Sequence, residues 1–370
     1  MRILLTGAFG NIGFHTARAL LARGFHVTAF DLATPAARKL AARLAPAERV
    51  RVEWGDLRDA AQVRRVVDAA APDAIVHLAA VIPPPAYFNA ALARTVNVDG
   101  LSHLLAAAAT LGRPPRIVFA SSYTVHGPRN GARDLPPLTA TTPVAPADAY
   151  GGHKVEGELM LRRSGLPWVT LRLGACLPLS PGNPDPRVMK MAFELPRDNR
   201  SHCVDQRDAA TAFSQAVDAD AVGKVLLIGG GDSFRIRSRD LTRHYQQTLG
   251  LGPFEDGTYA TPHPEVDDSW YFEDWMDTRE SEALLGFQRH TFDDYLTALA
   301  RANRVGALLL RPFGGLVRKQ LCKRSLYHGR PATPLSAPIQ ERFAALFGDA
   351  ARPHAASLAA ATALNQELAR

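Results

Sequence analysis

Along the first 175 residues the apolar positions alternate between two rhythms. Short runs rich in β-branched and aromatic residues read as buried strands: RILLT (2–6), HVTAF (26–30), RVEW (51–54), AIVHL (74–78), RIVFA (116–120) and WVTLRL (168–173). Between them, alanine- and leucine-rich stretches at 12–23, 35–44, 59–70 and 90–111 read as helices. Strands that alternate with helices predict βαβ units, right-handed crossovers and a parallel sheet covered on both faces. The expected class is α/β, with a doubly wound parallel sheet.

Beyond residue 174 the rhythm loosens. LPLSPGNPDPRV (177–188) holds too many breakers for helix or strand and reads as a loop. KVLLIGG (224–230) reads as a further strand. SRDLTRHYQQTLG (238–250) reads as a helix, with Ser238 as N-cap and Gly250 past its end. TPHPEVDDSWYFEDW (261–275) is mostly irregular, and RESEALLGF (279–287) and TFDDYLTALARAN (291–303) are short helices. A linker, GRPATPLSAP, then leads to two alanine-rich helices. The expected organisation is a doubly wound domain over 1–175, its sheet completed by strands within 200–230. An interleaved, smaller lobe follows over 176–300, then a basic, apolar segment and helical tail over 301–370; the chemistry below assigns the first to dinucleotide binding and the second to substrate.

Composition narrows the classes. The chain has 370 residues, 46% apolar and 21% charged, as in an ordinary soluble protein. Its three cysteines form no C-x-x-C pair, and its histidines show no metal-ligand spacing, so neither a disulfide framework nor a metal is assigned. MRILLTG lacks the long apolar region of a signal peptide, and no apolar run approaches the roughly 18 residues of a spanning helix. A cytoplasmic location and a homodimer are expected. The formal charge of +7 comes from one place: residues 301–330 carry eight Lys and Arg and no acid, while the remainder has 35 basic against 36 acidic residues. The basic balance therefore does not point to nucleic acid. That segment reads as an extension packed on the body, its arginines solvated. The alternative is an interfacial segment whose apolar side enters lipid while its cations meet anionic headgroups, making a peripheral membrane contact. Pro312, Gly314 and Gly315 would interrupt any single long helix there.

The candidate chemistry starts at the end of the first strand. TGAFGNIG places Gly7, Gly10 and Gly13 before a helix, with Asn11 and Ile12 between them. Glycines there permit a tight turn and let backbone N–H groups approach a pyrophosphate, whose charge the helix N-terminus stabilises. This is the phosphate-binding turn of a Rossmann dinucleotide site. Asp31 ends the second strand, where a carboxylate accepts from ribose hydroxyls and repels a 2′-phosphate; NAD is favoured over NADP. The other reading of Asp31 is a helix cap. Asp56 and Leu57 lie in GDLRD after the third strand, where Asp56 receives an adenine amino group or caps the next helix. Leu78, Ala79 and Ala80 follow the fourth strand, small where bulk would obstruct a cofactor.

ASSYTVHG (120–127) presents hydroxyls after the fifth strand, and AYGGHK (149–154) follows with Tyr150 and Lys154 on one helix face. Alone, that spacing is weak: roughly 0.13 such pairs arise by chance in this composition. Its order relative to the glycine turn and the acids makes it informative. A carbinol that loses hydride must also lose a proton, and a phenol of pKa about 10 is a poor base at neutral pH. A nearby ammonium favours the phenolate, and a serine hydroxyl polarises the substrate oxygen.

TGAFGNIG, Asp31, GDLRD, HLAA, VNVDG (96–100), ASSYTVHG, YGGHK, VDQRDAA (204–210) and DTRESEALLGF (277–287) together resemble the extended short-chain dehydrogenases/reductases, the NAD-dependent epimerase/dehydratase family. The resemblance spans roughly residues 1–300. It implies Ser122 as catalytic hydroxyl, Tyr150 as acid/base and Lys154 as its partner, with Thr124 a second hydroxyl and Asn97 a structural asparagine beside the cofactor channel. Three departures stand out. His126 replaces the family's usual tyrosine. Tyr123 and Thr124 stand where the sugar dehydratases carry an Asp-Glu pair. LRLGACLPL (171–179) lacks the asparagine of the UDP-sugar epimerases, and Arg200 lies out of register with their phosphate-pairing arginine. The expected function is an NAD-dependent oxidoreductase interconverting a secondary alcohol and a ketone on a small molecule. A sugar-nucleotide epimerase using tightly bound NAD is the alternative, and a non-catalytic dinucleotide-binding protein a minor one. Val81, Tyr123, Thr124, Leu177 and Met189, with Ile82, Pro83 and Trp270, are the candidates for lining a substrate pocket.

Overall fold

The computed structural model describes residues 1–44, 48–179, 186–331 and 333–369. Its strands are β1 (Arg2–Thr6), β2 (His26–Asp31), β3 (Val50–Trp54), β4 (Ala74–His77), β5 (Arg116–Ser122), β6 (Trp168–Leu173), β7 (Ala175–Leu177), β8 (Arg200–Asp205), β9 (Val225–Ile228) and β10 (Arg235–Arg237). Seven of them form one sheet in the order β3-β2-β1-β4-β5-β6-β9, every pairing parallel. The chain winds outward from β1 to β3, then returns to the other side of β1 to lay down β4. A crevice therefore opens between β1 and β4, at the carboxyl ends of the strands.

Side chains alternate across the sheet, and both faces are buried. Ile3 and Leu5 join one core with Val76, Val118 and Leu171; Leu4 joins the other with Ile75, Ile117 and Phe119. Helices Asn11–Ala22, Pro35–Leu44 and Gln206–Ala216 cover the first face, through Phe14, Ala17, Leu20 and Phe213 among others. Ala60–Ala70 and Gly100–Ala109 cover the second through Val63, Val67, Leu101 and Leu104.

Three elements differ from the sequence reading. The helix expected over 90–111 is interrupted by a π turn, Thr95–Asp99, between Ala90–Arg94 and Gly100–Ala109. The turn carries Asn97, which is buried. Such π turns occur where a side chain must be re-aimed. Ser238 is the first residue of Ser238–Thr248 and does not cap it. Its hydroxyl lies 3.0 Å from Ser201 Oγ and donates to the Asn199 carbonyl, and Arg237 takes the cap position. The stretch read as a loop over 177–188 falls partly on 180–185, outside the described residues, and ends in a helix, Pro186–Glu194.

The second half adds a three-stranded sheet, β10-β8-β7, over a core of Leu177, Cys203, Phe234, Phe292, Tyr295 and Leu299. The helix read at 291–303 runs on to Leu310, started by a capping box between Thr291 and Asp294. A tight turn, Arg311–Phe313, separates it from Gly314–Cys322, the break falling at Pro312. The tail forms helices Ile339–Phe347 and Ala355–Leu368. Among the described residues no helix is long and apolar enough to cross a membrane.

Candidate active site

The glycine turn is fixed by close approach. Gly7 has φ +68°, and a Cβ there would lie 2.7 Å from Ala79 N; a Cβ at Gly13 would lie 1.9 Å from Gly7 O. Bare backbone lets the turn rest on the exit of β4 and the following helix rest on the turn. That helix has neither a side-chain cap nor an acid in its first turn, where Asn11, Ile12 and Gly13 stand, so its N–H groups are left for an anion. In front lies a groove of about 430 Å³, lined by Gly7, Gly10, Asp31, Asp56, Leu57, Leu78, Ala79, Ala80 and Val81 among others.

Asp31 closes the groove's outer end. Its carboxylate accepts from the N–H of Phe9 at 2.7 Å and of Leu32 at 2.8 Å. It caps no helix. Burial nevertheless raises its pKa, outweighing both donors. Asp56 does not cap the next helix either: Asp59 does, accepting from Ala61 and Gln62. Asp56 is held by Arg58, at 2.6 Å from Nη2 and 2.9 Å from Nε, and this pairing lowers its pKa. Asn97 grips the Val81 backbone from both sides, accepting from its N–H at 2.7 Å and donating to its carbonyl at 2.9 Å. It thereby fixes the strand exit along the groove.

Tyr150 and Lys154 lie on the helix Ala149–Arg163. Asp148 caps it, accepting from Gly151 N at 3.0 Å. Tyr150, Lys154 and Glu158 recur every four residues, on one face. Glu158 anchors that face: Arg172 donates to it at 2.9 and 2.7 Å and Ser121 Oγ at 2.5 Å, both partners from the sheet. One turn away, the buried Lys154 ammonium lies 5.0 Å from the centre of the Phe119 ring and 5.4 Å from that of Tyr150. Burial lowers the lysine to a pKa of about 8, with Glu158 opposing. The Tyr150 phenol is raised, first by burial and then by the charge of Asp148. In the protein alone, these two effects outweigh the help expected from Lys154.

Ser122 ends β5 and caps the short turn Tyr123–His126. Its Oγ accepts from Thr124 N at 3.3 Å and Thr124 Oγ1 at 3.1 Å, leaving its own proton to be donated. That turn touches the start of the helix that carries Tyr150 and Lys154: a Cβ at Gly151 would lie 2.9 Å from Thr124 O. The turn that follows Ser122 therefore packs on the first turn of that helix, and Gly151 permits the contact.

The expected pocket lining is only partly assembled. Val81 borders the groove, Tyr123 and Thr124 flank Ser122, and Ile82 is exposed. Leu177 instead packs in the lobe core, and Met189 packs against the cluster of Phe193, Phe254, Tyr259 and Cys322. Trp270 donates to the His263 carbonyl at 3.1 Å and borders Gly131, in a different depression. Leu177 and Met189 were drawn into apolar clusters of the second half.

Other partners carried no local sequence signal. Tyr87 donates to Asp148 at 2.5 Å, and its ring packs on Phe343 and Phe347 of the tail at 5.5 and 5.3 Å. Ser357 of the last helix donates to Glu156 at 2.6 Å, and Glu156 pairs with Arg94. The fold also brings the Glu273 carboxylate to the Tyr123 hydroxyl, across 150 positions.

Comparison with known proteins agrees with this arrangement. The chain is 33% identical to D-erythronate dehydrogenase from Cupriavidus necator over 214 residues, which are 54% of this chain and 62% of that protein; it thus spans less than two thirds of that relative's length. It resembles a dTDP-glucose 4,6-dehydratase from Streptomyces venezuelae solved with NAD bound, at 26% identity, covering 82% of this chain and 97% of the other with a TM-score of 0.66. The fold is also that of UDP-glucose 4-epimerase from Thermotoga maritima, with a TM-score of 0.66 over 82% of this chain and 99% of the other at 20% identity. Residues 3–201 match the profile of the NAD dependent epimerase/dehydratase family, and with more than half of its length so matched this chain belongs to that family.

Proposed function

We propose that the protein is an NAD-dependent oxidoreductase that interconverts a secondary alcohol and a ketone on a small molecule. The observation that carries this reading is the placement of Ser122, Tyr150 and Lys154 about one helix start, near the β4 exit, which with the glycine turn and Asp31 lines a groove of about 430 Å³. The glycine turn, the open helix N-terminus and Asp31 fit NAD, whose nicotinamide ring would supply the hydride acceptor. Asp31, already turned toward backbone N–H donors, disfavours a 2′-phosphate. During oxidation, Ser122 donates to the substrate oxygen and Tyr150 takes the hydroxyl proton. Lys154, charged below about pH 8, favours the phenolate that must form.

Between dehydrogenase and epimerase, Arg200 favours the dehydrogenase. Its guanidinium is buried and bonded to the carbonyls of Leu135 and Arg133, with Asp274 at 3.6 Å, so it is committed within the protein and does not reach for a nucleotide phosphate. The test is NADH formation, followed by its near-ultraviolet absorbance, with D-erythronate, UDP-glucose, hydroxysteroids and aromatic alcohols. Tyr150→Phe should lower turnover by about 10² to 10⁴ while NAD binding persists. Turnover unaffected by that change would overturn the assignment. Retained NAD with no free NADH would favour the epimerase.

We also propose that residues 301–330 make a peripheral contact with anionic membrane. Val305, Leu308, Leu309, Phe313 and Leu316 are 61–70% exposed, in a segment without acids. A cytoplasmic homodimer remains the expected state, to be read by sedimentation velocity.

A further inference from the structure

AYGGHK holds one titratable side chain, His153, to which the site above gives no part. It lies between Tyr150 and Lys154 on the helix Ala149–Arg163, is 3% exposed and does not line the groove. Its Nδ1 lies 3.4 Å from Asn97 Nδ2. The same amide nitrogen donates to the Val81 carbonyl at 2.9 Å, while Asn97 Oδ1 accepts from the Val81 N–H at 2.7 Å. Val81 lines the groove. A chain of contacts therefore runs from the helix of Tyr150 and Lys154, through the π turn, to the backbone of the groove wall.

An amide nitrogen carries two hydrogens, and a histidine can accept the second only at a bare ring nitrogen. His153 is then neutral, with its proton on Nε2. Its surroundings favour that form. Burial is the main cause of a pKa lowered to about 4; Glu156 opposes it, and Arg94, Lys154 and His354 of the tail add to it. The contact also decides which way round the amide sits, nitrogen toward the histidine and oxygen toward the Val81 N–H. Without an acceptor there, a buried N–H loses its partner and the amide is freer to turn.

We propose that His153 is a positioning residue for the cofactor. By accepting from Asn97 it holds the amide that sets the Val81 peptide in the groove wall, so NAD affinity depends on a side chain outside the groove. At 3.4 Å the bond is a long one, and its loss costs affinity several-fold, not a hundredfold. This inference rests on NAD as the ligand of the groove and is independent of the substrate.

The test is the Kd of NAD, measured by calorimetry for wild type, His153→Asn and His153→Leu. Asparagine offers an oxygen acceptor near the place of Nδ1; leucine has the same shape and no acceptor. The expected Kd is raised about three- to tenfold in His153→Leu and stays within about twofold of wild type in His153→Asn, with kcat at saturating NAD changed less in both. In an Asn97→Ala background, His153→Leu should raise Kd no further. A histidine that merely fills space gives both variants the same Kd; that result, or additive effects in the double variant, overturns the proposal and leaves the NAD assignment standing. Should His153→Leu fail to fold, nitrogen NMR of the wild-type ring decides: a bare Nδ1 supports the proposal, and a proton on Nδ1 overturns it. Absence of NAD binding in the wild type removes both.

Discussion

Lys154 and Asp148 act on the same phenol with opposite sign. The carboxylate is completely buried, two residues before Tyr150, and its pKa is raised to about 6 by burial, despite hydrogen bonds from Tyr87 and Gly151. For an acid whose folded pKa is raised, the folded state holds a proton that the unfolded chain has already released. Stability from this group is full below about pH 4 and falls as pH rises to about 6. Asp148→Asn should remove that loss, worth about 3 kcal/mol at most. Thermal melts across pH 4 to 7 should converge at the acid end and separate above it, with the variant more stable. Parallel melts would show that the carboxylate is not proton-linked. Asp31 offers a second residue-scale prediction. Asp31→Ala should weaken NAD binding about ten- to a hundredfold, through loss of a charged acceptor, and narrow the preference against NADP. The ratio of KM values for the two cofactors measures it.

The helix Ala149–Arg163 is held from three directions. Glu158 ties it to the sheet through Arg172, a pair whose members are 1% and 0% exposed. Tyr87 holds its first turn through Asp148. The tail supports both the tyrosine and the helix's outer side, where a Cβ on Gly152 would lie 2.7 Å from Ser357. Phe343→Ala should cost about 3–5 kcal/mol, since the ring is 1% exposed and packs on Tyr87, Tyr271 and Phe272. It should also lower kcat by loosening the Tyr87–Asp148 contact. Melting and kinetics together check this; a lower melting temperature with unchanged kcat would make the tail a structural brace only. Glu158→Gln should be destabilising by about 3–5 kcal/mol, because it strands the buried Arg172 guanidinium.

Over the whole molecule, charge and exposed apolar surface coincide in one segment. The helix ending at Leu310 and the following Gly314–Cys322 present Leu309 and Leu316 to solvent, and Arg301, Arg304, Arg311, Arg318 and Lys319 lie along the same two helices and the turn between them. The break at Pro312 gives two short helices in place of one long one. The full chain should co-sediment with phosphatidylserine vesicles and release as salt is raised, since screening weakens its cationic part. Replacement of Leu309 and Phe313 by Ser should abolish sedimentation without changing turnover. Equal behaviour of the two proteins would end the membrane reading and leave the patch for another copy of the chain.

Strands, helices and the glycine turn were legible because each depends on neighbours a few residues away: a period of two, a spacing of four, a backbone that tolerates no side chain. The order of Gly7, Asp31, Ser122, Tyr150 and Lys154 along the chain sufficed to expect a dinucleotide and a proton-transfer pair in one fold. Contacts between distant segments were not legible. Glu273 meets Ser201, Asp148 meets Tyr87 and Ser357 meets Glu156 across 72, 61 and 201 positions, and no local pattern marks these partners. Leu177 and Met189 show the same limit in reverse, since apolar residues near a site are indistinguishable by type from those that build its core. Local stereochemistry set the elements and the four-residue spacing of Tyr150 and Lys154. Only packing, which joins whichever distant surfaces exclude water best, decided which distant side chains meet around them.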